Sequence, residues 1–145
     1  MPHFTLNLTA EGPLINLFVG VSAPRMRALQ EANLPVPQGV ILRCLIDTGA
    51  SGTCLDATAI APLGLTPTGT TLISTPSTGA IPHQCNTFDV GVVFAHPVNN
   101  RVFGVVPIVA TDFSAQRIDG LLGRDILSSC LFVYDGAANL FSIAF

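Results

Sequence analysis

Apolar and polar residues alternate along Phe4-Thr5-Leu6-Asn7-Leu8-Thr9, the two-residue period of a strand with one covered face. A turn follows at Glu11-Gly12-Pro13, and residues 14–21 read as a second strand. Together they predict a hairpin. Ser22 is placed to cap a helix over residues 25–32, with Pro24 in its first turn. The Pro-rich residues 33–39 form a loop. The whole 22–39 excursion fits a lid, a partner contact or a plain surface loop.

Residues 40–46 are a mostly apolar run, the pattern of a buried strand. Extended structure resumes at 53–55, and Asp56 caps a short helix over 57–63 that Gly64 ends. Residues 66–71 are turn-like. Residues 72–84 form two extended arms around the small tip Ser77-Thr78-Gly79. Pro76 and Pro82 cannot donate ladder bonds, so they suit edge strands. Strands are predicted at 88–94 and 102–110, with Pro107 marking a bulge or an edge. Residues 118–122 re-enter the core, 123–129 form a second short helix, and 130–134 pairs with 140–145. Many short strands with regular turns predict a mainly β fold, a closed barrel carrying two short helices at 57–63 and 123–129.

Composition sharpens that picture. The 145 residues suit one domain spanning 1–145 with a real core. The chain is 49% hydrophobic and only 10% charged, against about 25% charged in typical soluble domains. Much of its surface is therefore uncharged, which implies a permanent partner surface. Six arginines, no dense basic run and a net charge of -3 lack the electrostatic footprint of a nucleic-acid binder. Cys44, Cys54, Cys85 and Cys130 show no Cys-x-x-Cys spacing. They read as reduced thiols of a cytoplasmic protein, with a disulfide left open. No histidine pairs with a cysteine at zinc-ligand spacing, so no metal is expected. The N-terminus lacks the basic start and long apolar core of a signal peptide. The apolar stretch 102–110 is too short to cross a bilayer.

The candidate chemistry lies where the 40–46 strand ends. Leu45-Ile46-Asp47-Thr48-Gly49-Ala50-Ser51 places an acid at the mouth of a turn. An aspartate beside a core is costly unless it is hydrogen-bonded or shares a proton. A turn in which the carboxylate caps nearby N–H groups explains it equally well. Further on comes Ile118-Asp119-Gly120-Leu121-Leu122-Gly123-Arg124-Asp125. In order and separation these two stretches resemble the signature of the retropepsin-like aspartic proteases. The resemblance runs from about residue 40 to the C-terminus.

That resemblance implies an acid-protease-like barrel that is half of a two-fold dimer. It implies an aspartic endopeptidase acting on polypeptide, with no cofactor and no metal. Two carboxylates a few ångströms apart cannot both ionise, so one acts as base on a water and the other as acid on the carbonyl oxygen. The chain carries one Asp-Thr-Gly, so the second Asp47 comes from a second copy. Asp47 is then the catalytic acid/base, while Thr48 turns its hydroxyl to the partner's backbone. Gly49 lets backbone approach the substrate, and Ala50 lines the cleft floor. Thr78, Gly79 and Ala80 stand at the substrate-covering flap, though turn chemistry alone allows an ordinary hairpin there. Leu121-Leu122-Gly123 packs behind the Asp turn.

Ser51 and Gly52 depart from the retroviral pattern, where acids are common. Arg124 is therefore expected to pair with Asp125 or a partner residue, and the cleft to be less acidic. The terminal segments 4–8 and 140–145 either interleave as a dimer sheet or remain ordinary edges. Two rival readings remain: a catalytically silent dimer of this fold that binds extended peptides, and a monomeric barrel in which Asp47 is structural.

Overall fold

A computed structural model describes residues 1–74 and 79–145. In chain order the elements are β1 (His3–Asn7), β2 (Leu14–Val21), α1 (Ala23–Glu31), β3 (Val40–Ile46), β4 (Cys54–Asp56), α2 (Ala57–Ile60) with a 3-10 turn (Ala61–Leu63), β5 (Gly69–Ile73), β6 (His83–Phe94), β7 (Arg101–Thr111), β8 (Gly120–Leu122), α3 (Arg124–Leu127), β9 (Leu131–Asp135) and β10 (Leu140–Ala144). One sheet runs β2-β3-β8-β4-β7-β6-β5, and β2 also pairs with β6. Six strands thereby close into a barrel, and β5 hangs from β6 as its free edge. A second sheet, β1-β10-β9, lies against the barrel.

Burial explains the closure. Leu17 and Val19 of β2, Leu42 and Cys44 of β3, Val90, Val92 and Phe94 of β6, and Ile108 of β7 point into one core with Leu55 and Leu122. The terminal sheet adds Phe141, Ile143 and Phe145, whose ring stacks on Phe94 at 4.9 Å. Fully burying one such side chain is worth about 1.5–3 kcal/mol, so the terminal sheet is part of the fold.

Local signals are met at the helix ends. The Ser22 side chain accepts Arg25 N–H at 3.4 Å, with Pro24 in the first turn of α1. Asp56 accepts Ala59 N–H at 2.9 Å to start α2, and Gly64, at φ 58°, ends the 3-10 turn. Pro62 explains the tightening, since proline cannot supply the N–H an α-helix needs. Helix α1 buries only Leu29 and rests on β7, where Gly104 gives it room beside Ala23. The 22–39 excursion therefore lies on the outside of the barrel.

Two expectations fail. The hairpin between residues 4–9 and 14–21 does not form. Thr9 and Gly12 close a tight turn on each other, and β1 pairs with β10 while β2 pairs with β3 and β6. Both edges of β2 are needed to shut the barrel, so none remains for β1. Residues 69–71 are strand rather than turn, because Thr70 and Thr71 sit opposite Asn86 and Cys85 of β6. The outcome for the termini divides: β1 is an ordinary edge strand, whereas β10 is an inner strand flanked by β1 and β9. Pro107 stands where β7 has β6 on one side only, since pairing with β4 begins at Val109.

Candidate active site

The site is built from a strand, a turn and a second strand that straddle a third. β8 pairs in parallel with β3, Leu45 beside Leu121 and Ile46 beside Leu122. Its other edge pairs antiparallel with β4, Cys54 beside Leu121. The turn joining β3 to β4 must pass over the end of β8, and Asp47 stands where that passage begins. No side chain fits between the arms at Gly120, where a Cβ would lie 2.5 Å from Cys54 O.

Asp47 is half-buried, Thr48 and Gly49 are exposed, and Ala50 is half-buried. Asp47 N–H donates to Leu122 O at 3.0 Å, and Ala50 N–H returns to Asp47 O at 3.2 Å. Gly49 N–H donates to Asp47 Oδ1 at 2.8 Å, which orients the carboxylate. A Cβ on Gly49 would lie 3.1 Å from that oxygen, so glycine leaves it room.

A clamp from the far side holds this turn. Arg124 donates its guanidinium to Thr48 O at 3.0 Å and its backbone N–H to Ala50 O at 2.9 Å. The expected pairing of Arg124 with Asp125 is not made. Asp125 instead accepts Thr53 N–H at 3.0 Å and the Thr53 hydroxyl at 2.8 Å, and that hydroxyl accepts Gly123 N–H at 3.2 Å. The reason is geometric: side chains adjacent on a helix diverge, and only those three or four apart face each other. Thr53 is only 1% exposed. It was not singled out from the sequence, where the signal was one hydroxyl residue opening an otherwise apolar strand.

Beside the turn lies a groove of about 960 Å³. Its floor includes Cys54, Ile60 and Leu121, and its walls include Ile73, Phe88 and the start of β6. The groove meets the Asp47 turn through Cys54 and Leu121, whose chain neighbours Thr53 and Leu122 bond the clamp and the turn. Gly79 and Ala80 sit exposed at the turn between β5 and β6, Gly79 at φ 63°. They do not line the groove; the arms of that hairpin do. Thr78 lies outside the described residues. The structure thus gathers residues 47–50 with 122–125, and among the described residues no hydrogen bond joins Gly79 or Ala80 to them.

All four cysteines carry free thiols. Burial, with the Asp119 charge adding to it, pushes the Cys44 thiol up to about 12. Burial also raises Cys54, helped by negative charge at Asp125, Cys85 and Asp47. A neutral thiol therefore faces the groove. Among the described residues no three His, Cys, Asp or Glu side chains converge as a metal site, and no helix is long and apolar enough to cross a membrane.

Comparison with known proteins bears on this arrangement. The family model described as aspartyl protease matches residues 36–126, from the approach to β3 into α3. Among solved structures the chain is similar to a retropepsin-like aspartic protease from Rickettsia conorii, at 20% identity and a TM-score of 0.58 over 97% of this chain and 89% of that one. No curated protein matches. The family model covers the Asp47 turn and its clamp together: this chain belongs to the aspartyl protease family, and its fold is retropepsin-like.

Proposed function

We infer that this chain, as one domain over residues 1–145, is an aspartic endopeptidase that works as a homodimer with Asp47 from each copy at the shared centre. The observation that carries the inference is the doubly clamped turn. Asp47 sits on a strand end tied to β8, its carboxylate is aimed by Gly49 N–H, and α3 fixes the peptide units on either side. Reacting groups gain most from rigid placement of this kind. One carboxylate cannot serve as base and acid at once, and the chain has a single Asp-Thr-Gly. A two-fold pairing supplies the other.

In that assembly the ionised Asp47 takes a proton from water as the water attacks the peptide carbonyl. The protonated Asp47 gives its proton to the carbonyl oxygen, and then one passes to the leaving nitrogen. Thr48, exposed at the turn, faces the partner copy. Gly49 and Ala50 border the cleft. The hairpin tip with Thr78, Gly79 and Ala80 closes above the bound peptide. Substrate is an extended polypeptide. The groove beside the turn, with Ile60, Leu65, Ile73, Phe88 and Leu121, takes large apolar side chains. Action in the cytoplasm accords with four free thiols.

The test is cleavage of an unfolded protein at mildly acidic pH. Asp47→Asn should lower the rate by about 10³-fold or more, and a statine-type mimic should block the wild type. Cleavage that persists in Asp47→Asn refutes the assignment. Peptide binding without cleavage at any pH points to a silent binder instead.

A further inference from the structure

The groove beside the Asp47 turn has room for more than one side chain. At about 960 Å³ it lies at the upper end of the range for clefts that bury a whole drug-sized ligand. Apolar residues supply much of its lining, but not all of it. Among the described residues, one side chain with a formal charge lines it: Asp112, just past the end of β7. No lysine, arginine or glutamate joins it. The other titratable side chains facing the groove are His83 at the start of β6 and the thiols of Cys54 and Cys85.

The chain around that charge fixes its place. Asp56 ties two walls of the groove together with one carboxylate. Its Oδ1 accepts Ala59 N–H at 2.9 Å to start α2, and its Oδ2 accepts Phe113 N–H at 2.8 Å. The residue after Asp112 is thus bonded to the acid that caps the helix carrying Ala57 and Ile60. The buried Phe113 ring packs with Leu14 and Ile118, and Gln116 N–H returns to Phe113 O at 2.8 Å. Asp112 Oδ1 accepts Ser114 N–H at 2.8 Å. Hydrogen bonding from Ser114, through its side chain and its main chain, holds the Asp112 carboxyl below its ordinary value. Asp112 is therefore ionised at the mildly acidic pH where a pair of carboxylates can share one proton.

An apolar surface with one fixed negative charge beside it complements a particular kind of side chain. Arginine and lysine carry an apolar stem that ends in a cation. They lay the stem along apolar surface and offer the head to a carboxylate. A glutamate in the same place would bring like charge to like. We propose that Asp112 is a specificity-determining residue: it selects an arginine or lysine side chain of the substrate over an acidic one, with the stem along the α2 wall and the cationic head at the carboxylate. This rests on the protease reading above and adds a charge preference to the apolar one. Large apolar side chains of the substrate take the part of the groove lined by Ile73, Phe88 and Leu121, and the basic one takes the end at Asp112. Asp112 has no part in the hydrogen bonds that hold the Asp47 turn, so its effect falls on the choice of substrate.

The experiment compares the wild type, Asp112→Asn and Asp112→Lys on peptides built around a cut site found in the digest of an unfolded protein. Each position near the cut is set in turn to Arg, Gln and Glu, and kcat/KM is measured for each peptide. Ratios between peptides are read, because the amount of folded enzyme cancels from them and His83 is common to all three enzymes. Exposed charge pairs are individually weak, but attraction of Arg and repulsion of Glu act in the same direction. The wild type should prefer Arg to Glu by about 10-fold at one position. Asp112→Asn should bring that ratio close to unity, and Asp112→Lys should invert it. A wild-type preference that both variants leave in place overturns the proposal, as does a wild type that cuts Glu and Arg peptides equally at every position. In either case, cleavage that Asp47→Asn abolishes leaves the protease reading standing. If no peptide is cut, that reading fails, and the Kd values of the same peptides, labelled with a fluorophore, judge the groove. An Arg preference inverted by Asp112→Lys then supports the assignment of Asp112, and equal binding or none overturns it.

Discussion

Thr53 offers the sharpest test of how the Asp47 turn is held. Its hydroxyl donates to Asp125 Oδ1 at 2.8 Å and accepts Gly123 N–H at 3.2 Å. Thr53→Val keeps the shape and removes both bonds. Asp125 retains the N–H groups of Thr53 and Ile126, at 3.0 and 2.9 Å, so its carboxylate is not orphaned. Gly123 N–H is, and Gly123 is buried. A hydrogen bond to a charged group is worth about 1.5–3 kcal/mol, and a buried group left without a partner costs about 1–3 kcal/mol. Overlap between the two puts the expected loss near 3 kcal/mol. Thr53→Ser keeps the hydroxyl and gives up one buried methyl, about 1 kcal/mol. The prediction is therefore an ordering: Thr53→Val clearly below Thr53→Ser, although valine is the more apolar residue.

The chain has no tryptophan and one tyrosine, so urea unfolding followed by far-UV circular dichroism is the suitable assay. Protein concentration must be fixed, because any self-association would shift apparent stability. At about 3 °C per kcal/mol for a chain of this size, Thr53→Val should melt roughly 10 °C below the wild type. A loss under about 1 kcal/mol, or serine falling below valine, refutes the clamp as described.

Other outcomes follow from the same geometry. Gly123→Ala would place a Cβ 2.5 Å from Gly52 C and O, so it should destabilise by about 2–3 kcal/mol and shift the Asp47 turn, read as a lower urea midpoint and, on the proposed function, as lost cleavage. Cys44 gives a pH signature. Its thiol stays neutral to about 12 when folded and has an ordinary value of 9.0, so the unfolded chain gives up that proton first. The resulting stability is intact below about 9 and is lost as pH rises toward about 12, at up to about 1.4 kcal/mol per pH unit. The stability difference between wild type and Cys44→Ala should narrow by that slope between pH 9 and 10.5; a constant difference refutes it.

The parts of this fold that the sequence made visible are those settled by near neighbours. Ser22 and Asp56 announce helix starts because each needs only an N–H three residues on. The Asp47 turn stood out only beside the Ile118–Asp125 stretch, because an acid, a hydroxyl and a glycine at a strand end are ordinary turn residues by themselves. Pairing choices were hidden, since they are decided by the whole sheet. β1 lies close in sequence to β2, yet both edges of β2 go to the barrel and β1 is left to β10. Arg124 was recognisable as an anchor, but not what it anchors. It holds a main-chain carbonyl rather than a carboxylate, and nothing in the order of residues distinguishes those acceptors.

The two glycines that meet at the clamp are not equivalent. Gly123 is forced, because the Gly52 backbone occupies the space a side chain would need. Gly52 is not forced: a Cβ there meets nothing within 4 Å. Steric demand therefore does not explain why positions 51 and 52 lack the acids common in retroviral enzymes. Nor does the clamp need them, since Arg124 is satisfied by Thr48 O and Asp125 by Thr53. The fold therefore leaves the charge at these positions open. A neutral Ser51-Gly52 edge and a neutral Cys54 thiol lead into a groove whose lining mixes Ile60, Leu65, Ile73, Phe88 and Leu121 with His83 and Asp112. On the proposed function, large apolar side chains would fit among the first five of these, while the Asp112 carboxylate would favour a basic side chain and repel an acidic one.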